Sequence, residues 1–149
     1  MRHILWLLLL PSLLLAGDSG GRAQYVGGTV AALPSNSEGT IHLTDEDVFL
    51  FRSRKTSVQV PYNKINTVEY GLRVNRRYIS AVLISPMMLL AKKRKHYLTV
   101  GYTDENGRQQ AVVFEVEKKA VRSVLVSLEA KTGRRVEYQD EEARKAGKG

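Results

Sequence analysis

The sequence predicts a mainly β fold with one C-terminal helix, in which six or seven short antiparallel strands form a small barrel or sandwich capped by that helix. Three observations predict it. Short segments of alternating apolar residues, separated by turn residues, fill the middle of the chain. After Val116 the apolar spacing changes from two residues to about 3.6. The length of 149 residues and the 43% hydrophobic content fit one domain with an ordinary core.

Residues 1–23 have the order of a secretory signal peptide. A short basic start precedes a predominantly apolar run from Ile4 to Ala16, and small polar residues follow it. The run is shorter than the about 20 residues that a membrane-spanning helix needs. Small residues at Gly21 and Ala23 predict cleavage after Ala23, and an uncleaved anchor is the alternative. The sequence therefore predicts export to a periplasmic or extracellular location, with membrane association as a further expectation.

Residues 24–136 are predicted to form the folded domain. Its strands are expected at residues 24–32, 39–43, 48–51, 55–60, 65–70, 96–103 and 112–116. The clearest hairpin joins the last two of these strands, because Asn106-Gly107 between them favours a tight type I′ turn.

The helix that caps the sheet is predicted from a stripe of apolar residues at helical spacing. Ala120, Val121, Val124, Leu125 and Leu128 recur at helical spacing, and Gly133 suits the position that follows a helix. The stripe has to be buried, and the sheet is the partner that the sequence offers. Residues 137–149 are polar and charged and are predicted to form a flexible tail.

Several segments together resemble the pleckstrin-homology-like superfold in its bacterial and GRAM-like versions. They are Gly39-Thr40-Ile41-His42-Leu43-Thr44 before Val48-Phe49-Leu50, then Val60-Pro61-Tyr62-Asn63-Lys64-Ile65, Val68-Glu69-Tyr70, His96-Tyr97-Leu98-Thr99-Val100 and the closing helix. The resemblance covers roughly residues 24–136, and residues 76–95 depart from it by being longer and more apolar than a simple connection. It implies a binding or scaffolding module, in a fold that hosts lipid, peptide and purely structural roles.

The net charge of the domain is confined to one segment. Residues 24–149 carry 21 basic and 14 acidic side chains, and residues 71–97 hold seven of the basic ones and none of the acidic ones. These seven account for the whole excess and form the predicted site for an anionic surface: Arg73, Arg76, Arg77, Lys92, Lys93, Arg94 and Lys95. We call residues 73–95 the basic-apolar-basic segment.

The apolar centre of this segment, residues 78–91, allows two interpretations. As a helix it is about 21 Å long, too short for the ~30 Å hydrocarbon core, but it suits the interface of a bilayer with cations on both sides. The favoured partners are then an anionic lipid surface or an acidic envelope polymer. Alternatively residues 78–91 are buried core, the cations are merely solvated, and the chain is a structural or protein-interaction module. Nucleic acid is disfavoured, because an exported chain rarely meets it and the segment has few aromatic residues.

No constellation of side chains predicts catalysis, a cofactor or a metal, so the chain is interpreted as a non-enzyme. The absence of cysteine excludes disulfides, thiolate zinc sites and thiol nucleophiles. His42 and His96 lack partners at ligand spacing and are interpreted as strand residues near solvent. The carboxylates of residues 45–47 lack the alternating ligands of a calcium loop. Neither a Gly-x-Ser-x-Gly turn nor a phosphate-binding Gly-Lys-Ser/Thr loop is present.

Overall fold

The computed structural model describes residues 20–30, 33–74 and 94–149, and within them eight strands form one mixed sheet. The strands are β1 (Gly20–Gly28), β2 (Ser37–His42), β3 (Val48–Ser53), β4 (Ser57–Pro61), β5 (Ile65–Gly71), β6 (Tyr97–Thr103), β7 (Gln109–Val116) and β8 (Glu137–Tyr138). A 3₁₀ turn (Tyr62–Lys64) joins β4 to β5, and the helices are α1 (Lys118–Thr132) and α2 (Glu141–Lys148). The order across the sheet is β4-β3-β2-β1-β7-β6-β5-β8.

The inner face of the sheet is closed by α1, as the helical stripe predicts. The five stripe residues are all buried in the main core. Gly133 ends the helix in the left-handed conformation, with φ of 68°, and its N–H donates to the carbonyl of Glu129. At Gly21 a side chain would clash with the Cβ of Ala120, so this glycine lets the first turn of α1 lie directly on β1.

The sheet curls strongly around the core. β3 and β7 are separated by β1 and β2, which would place them about 14 Å apart in a flat sheet. The rings of Phe51 on β3 and Phe114 on β7 nevertheless lie 4.8 Å apart, and Phe49 approaches Phe114 to 5.7 Å. All three are fully buried. The first strands of the chain therefore fold over onto the middle of the same sheet.

The mainly β class and the closing C-terminal helix are confirmed, but the finer architecture differs from the prediction. The sheet has eight strands instead of six or seven, β8 runs parallel to β5, and the sheet is not closed into a barrel. β8 has two residues and therefore no alternating pattern of its own. Its place depends on tertiary contact, since the ring of Tyr138 packs edge-on against Tyr70.

The β6–β7 hairpin has a different turn from the predicted type I′. A type I′ turn requires positive φ at both central residues, whereas here Gly107 has φ of 74° and Asn106 does not adopt positive φ. The carbonyl of Asp104 accepts from the N–H of Gly107, and the Asp104 carboxylate accepts from the N–H groups of Asn106 and Arg108. The Asp104 side chain therefore stabilises a turn that ends in a left-handed glycine.

Residues after Val136 also differ from the expected flexible tail. They form β8 and then α2, whose first turn is capped by Asp140 accepting from the N–H of Ala143 at 2.7 Å. Ala143 is fully buried, and Gly147 packs closely against Tyr138. The small residues of this polar segment are what allow it to pack on the core.

The cleavage position predicted after Ala23 lies inside β1. Residues 20–23 pair with residues 39–42 of β2, Ala23 also pairs with Val116 of β7, and the carbonyl of Arg22 accepts from the N–H of Glu117. The rest of the predicted signal peptide, residues 1–19, lies outside the described residues. No helix in the described part of the chain has the length and apolar character to cross a membrane.

Candidate anionic-surface site

The two ends of the basic-apolar-basic segment meet at one end of the sheet. β5 and β6 are antiparallel neighbours, and their last register pair is Gly71 with Tyr97. Arg73 follows Gly71 by two residues, and Lys95 precedes Tyr97 by two. Both ends of the segment therefore leave the sheet side by side, although they are 22 residues apart in the sequence.

Three of the seven predicted site residues are described: Arg73, Arg94 and Lys95. The other four, Arg76, Arg77, Lys92 and Lys93, lie outside the described residues, as does the apolar run 78–91. The three described cations lie beside the Gly71–Tyr97 pair.

Two of these three cations have carboxylate partners. Arg94 forms an ion pair with Glu142 of α2, and Lys95 Nζ lies 2.9 Å from Glu115 Oε2 on β7. Arg73 has an exposed side chain, and its backbone carbonyl accepts from the Gln139 amide at 2.8 Å. The pair on α2 is more than half exposed on both sides, so it contributes at most about 1 kcal/mol and exchanges partners easily.

His96 lies next to this site and is more constrained than a strand residue near solvent. Its Nδ1 is 2.6 Å from the hydroxyl of Tyr70, and the two rings are nearly parallel. Burial lowers the pKa of His96, the nearby Lys118 lowers it further, and Glu115 acts in the opposite direction. Burial raises the pKa of Tyr70 to about 12. The Tyr70 hydroxyl and the imidazole therefore share a hydrogen bond whose direction depends on the tautomer of His96, and this bond anchors the start of β6 to β5.

A second apolar cluster lies on the face of the sheet opposite α1. Its buried members are Val26, Tyr97, Ala111 and Val113. They alternate along the strands with residues of the main core, so they point the other way. Thr99 and Glu69, which are opposite each other on β6 and β5, are also buried on this outer face. The partly buried Val74, at the beginning of the basic-apolar-basic segment, packs against the cluster.

In the acidic turn at residues 45–47, the Asp45 carboxylate stabilises the turn by accepting hydrogen bonds from backbone N–H groups. Asp45 accepts from the N–H groups of Asp47 and Val48, and these two hydrogen bonds are the main reason that its pKa is lowered. Lys131 of α1 donates to the carbonyl of Asp45 and lies 3.5 Å from Glu46. Among the described residues, no group of three potential metal ligands occurs.

A further basic feature was not apparent from the sequence. Arg22, Arg52 and Arg54 line a groove on the outer face of β1, β2, β3 and β7. Arg52 alternates outward on β3, whereas Arg22 falls in the segment that the sequence predicts as a signal peptide. The arginines come together because β2 pairs with both β1 and β3.

No protein-family model matches the chain, and no curated protein matches it either. The candidate sites therefore have to be judged on their own geometry and charge.

Proposed function

We propose that the protein is a non-enzymatic, exported module that contacts an anionic surface, a membrane or an acidic polymer, through the basic-apolar-basic segment. The observation that carries the proposal is the register pair of Gly71 with Tyr97, which brings the two ends of the segment together. With Arg73 on one side and Arg94 and Lys95 on the other, the fields of the two basic ends add at one end of the sheet.

The energetics favour a salt-sensitive contact. A cation close to an anionic membrane contributes about 1 kcal/mol, so seven acting together rival the apolar term at low salt. At physiological ionic strength exposed charges are screened over about 8 Å. The ion pairs of Arg94 and Lys95 reduce the free charge. The exposed pair of Arg94 with Glu142 is weak enough to be exchanged for a lipid phosphate or a polymer carboxylate, whereas the partly buried pair of Lys95 with Glu115 is retained.

The fold within which this site acts is proposed to be of the pleckstrin-homology-like type. The sequential antiparallel strands β1 to β4 and the helix α1 packed on the inner face of the sheet support this assignment. The open sheet and the parallel β8 are departures from a simple closed barrel. The fold assignment alone does not choose between lipid, polymer and protein partners.

Co-sedimentation of the full chain with vesicles tests the function. We expect binding to phosphatidylglycerol-containing vesicles that falls steeply with added salt, and little binding to pure phosphatidylcholine vesicles. A parallel pull-down on an immobilised acidic polysaccharide separates a polymer partner from a lipid one. The proposal is contradicted if the chain binds neutral and anionic vesicles equally at all salt concentrations and does not bind the polysaccharide.

The second candidate is a structural or protein-interaction module in which residues 78–91 are buried. The outer apolar cluster favours it, because Val26 and Val113 are completely buried on the face that α1 does not cover. Val74 packs on this cluster and Tyr97 belongs to it, so both ends of the basic-apolar-basic segment adjoin an apolar surface. Limited chymotrypsin digestion of the lipid-free monomer separates the two: protection of residues 78–91 favours this candidate, and rapid cleavage favours surface binding.

A further inference from the structure

The outer face of the sheet carries a groove of about 670 Å³ that crosses four strands. Its basic wall residues are Arg22 on β1, Arg52 on β3 and Arg54, which follows β3. A volume of this size is in the range that accommodates a small ligand or a short stretch of a polymer. The described residues of the predicted site, Arg73, Arg94 and Lys95, do not line this groove.

The register of the strands places two of these arginines in one row. Arg22 is opposite Thr40 on β2, and Thr40 is opposite Arg52 on β3. The neighbouring residues Ala23, Ile41 and Phe51 are buried on the inner face, so the row points outward. With adjacent strands about 4.8 Å apart, the two arginine Cα atoms are separated by about 10 Å.

The charges of the groove do not cancel. Three carboxylates also line it, but Glu115 has Lys95 as its partner at 2.9 Å and Glu117 has Lys119 at 3.2 Å. Only Glu38 lacks an ion pair with a described residue. Across the described ranges, no carboxylate forms an ion pair with any of the three arginines, whose side chains are exposed. Three guanidinium groups therefore face one uncompensated carboxylate.

We propose that this groove binds a linear oligoanion, that is, a chain bearing successive phosphate or carboxylate groups. Guanidinium groups donate paired N–H bonds that match the geometry of these oxyanions. The row from Arg22 to Arg52 offers such donors at two points with the Thr40 hydroxyl between them, and Arg54 extends the row. A linear ligand is favoured because its successive anionic groups match donors that lie in one row on neighbouring strands, about 10 Å apart.

The groove site is independent of the proposed surface-binding function. None of the three described cations of the basic-apolar-basic segment, Arg73, Arg94 and Lys95, lines the groove. Among the described residues the two sites adjoin at Glu115, which lines the groove and pairs with Lys95. Separate variants therefore test each site without affecting the other.

Calorimetric titration of the full chain tests the groove with two probes. Sodium tripolyphosphate supplies phosphate oxyanions, and trigalacturonate supplies carboxylates, so the pair identifies the source of the anionic group. The test variant is R52E/R54E, and the matched control is K64E/R122E, which makes the same change in charge at two exposed residues outside the groove. Circular dichroism and thermal melts show that each variant remains folded, and R52Q/R54Q replaces the test variant if it does not.

We expect binding of at least one probe, and a loss of roughly tenfold in affinity for each arginine reversed, as a charge-assisted contact predicts. The control is expected to bind within about twofold of the wild type. Equal losses in both variants would show a general effect of net charge and overturn the proposal. The proposal is also overturned if the wild type binds neither tripolyphosphate nor trigalacturonate. It is likewise overturned if R52E/R54E loses binding to anionic vesicles but still binds the probes.

Discussion

Gly71 and Tyr97 face each other across β5 and β6 as the last register pair of these strands. The chain therefore leaves the sheet after Gly71 and returns to it at Tyr97 at the same end. The seven cations of the charge excess all lie between these two residues in the sequence, and the pairing brings the three described ones, Arg73, Arg94 and Lys95, to one end of the sheet. The proposed function depends on this relationship more than on any single side chain.

The contact between Phe51 and Phe114 is expected to be a main source of stability. Phe114→Ala should lower the free energy of unfolding by about 3–5 kcal/mol, because it removes a fully buried ring that contacts Phe49, Phe51 and Tyr25. Urea denaturation measures the change. Val126→Ala is the control, since Val126 is 59% exposed on α1 and should change stability by less than about 0.5 kcal/mol. A cost below about 1 kcal/mol at Phe114 would contradict the curled sheet.

The burial of His96, whose ring is hydrogen-bonded to Tyr70, predicts a dependence of stability on pH. The folded protein lowers the pKa of His96 below its unfolded value of 6.5, so below that pH the unfolded chain binds the proton more readily. The contribution of neutral His96 to the free energy of unfolding is fully present above pH 6.5. This contribution is lost as the pH falls through the pKa of His96 in the folded protein. Lys118 also lowers the pKa of His96, and Glu115 raises it.

Urea denaturation between pH 7.5 and pH 5 measures this loss, and His96→Asn, which keeps an acceptor but cannot titrate, should reduce it. Tyr70→Phe is the companion variant. It should cost about 1 kcal/mol at pH 7.5, the usual contribution of a hydrogen bond, while leaving the imidazole in place. An unchanged pH dependence in His96→Asn would show that other groups account for the effect.

The pairing of residues 20–23 predicts that a chain beginning at Gly20 is more stable than one beginning at Gln24. Removing these residues takes away their pairing with β2 and the hydrogen bond from Glu117 to Arg22. We expect a loss of roughly 2–4 kcal/mol, since each backbone hydrogen bond contributes about 1 kcal/mol. Thermal melts of the two chains give the comparison.

For the export proposed above, the same pairing predicts the position of signal-peptide cleavage. Cleavage after Ala23 would remove almost half of β1, so we expect the cut before Gly20, where Gly17 and Ser19 supply small residues. Intact-mass spectrometry of the exported protein locates its first residue. A mature chain that starts at Gln24 and is as stable as the one that starts at Gly20 would refute this prediction.

Local patterns in the sequence predicted the elements well and their assembly only in part. The seven longer strands and α1 were predicted because each has its own periodicity, and Gly133 ends the helix as its position indicates. β8 and α2 were not predicted, because their placement depends on Tyr138, Ala143 and Gly147 packing against the core. The candidate site could likewise be predicted only in part. Its cations are visible as a run in the sequence, whereas their partners Glu115 and Glu142 come from distant elements.

The most direct test of the account compares charge reversal at the two basic ends of the basic-apolar-basic segment. R76E/R77E changes one end, and K92E/K93E changes the other. Lys95 is left intact, because reversing it would place a second carboxylate beside Glu115. Co-sedimentation with phosphatidylglycerol-containing vesicles measures affinity, and thermal melts check that stability changes by less than about 0.5 kcal/mol.

If the two ends form one site, both variants lose a similar share of affinity and K64E/R122E keeps that of the wild type. If one variant abolishes binding while the other leaves it unchanged, the two ends act separately and the central claim is wrong.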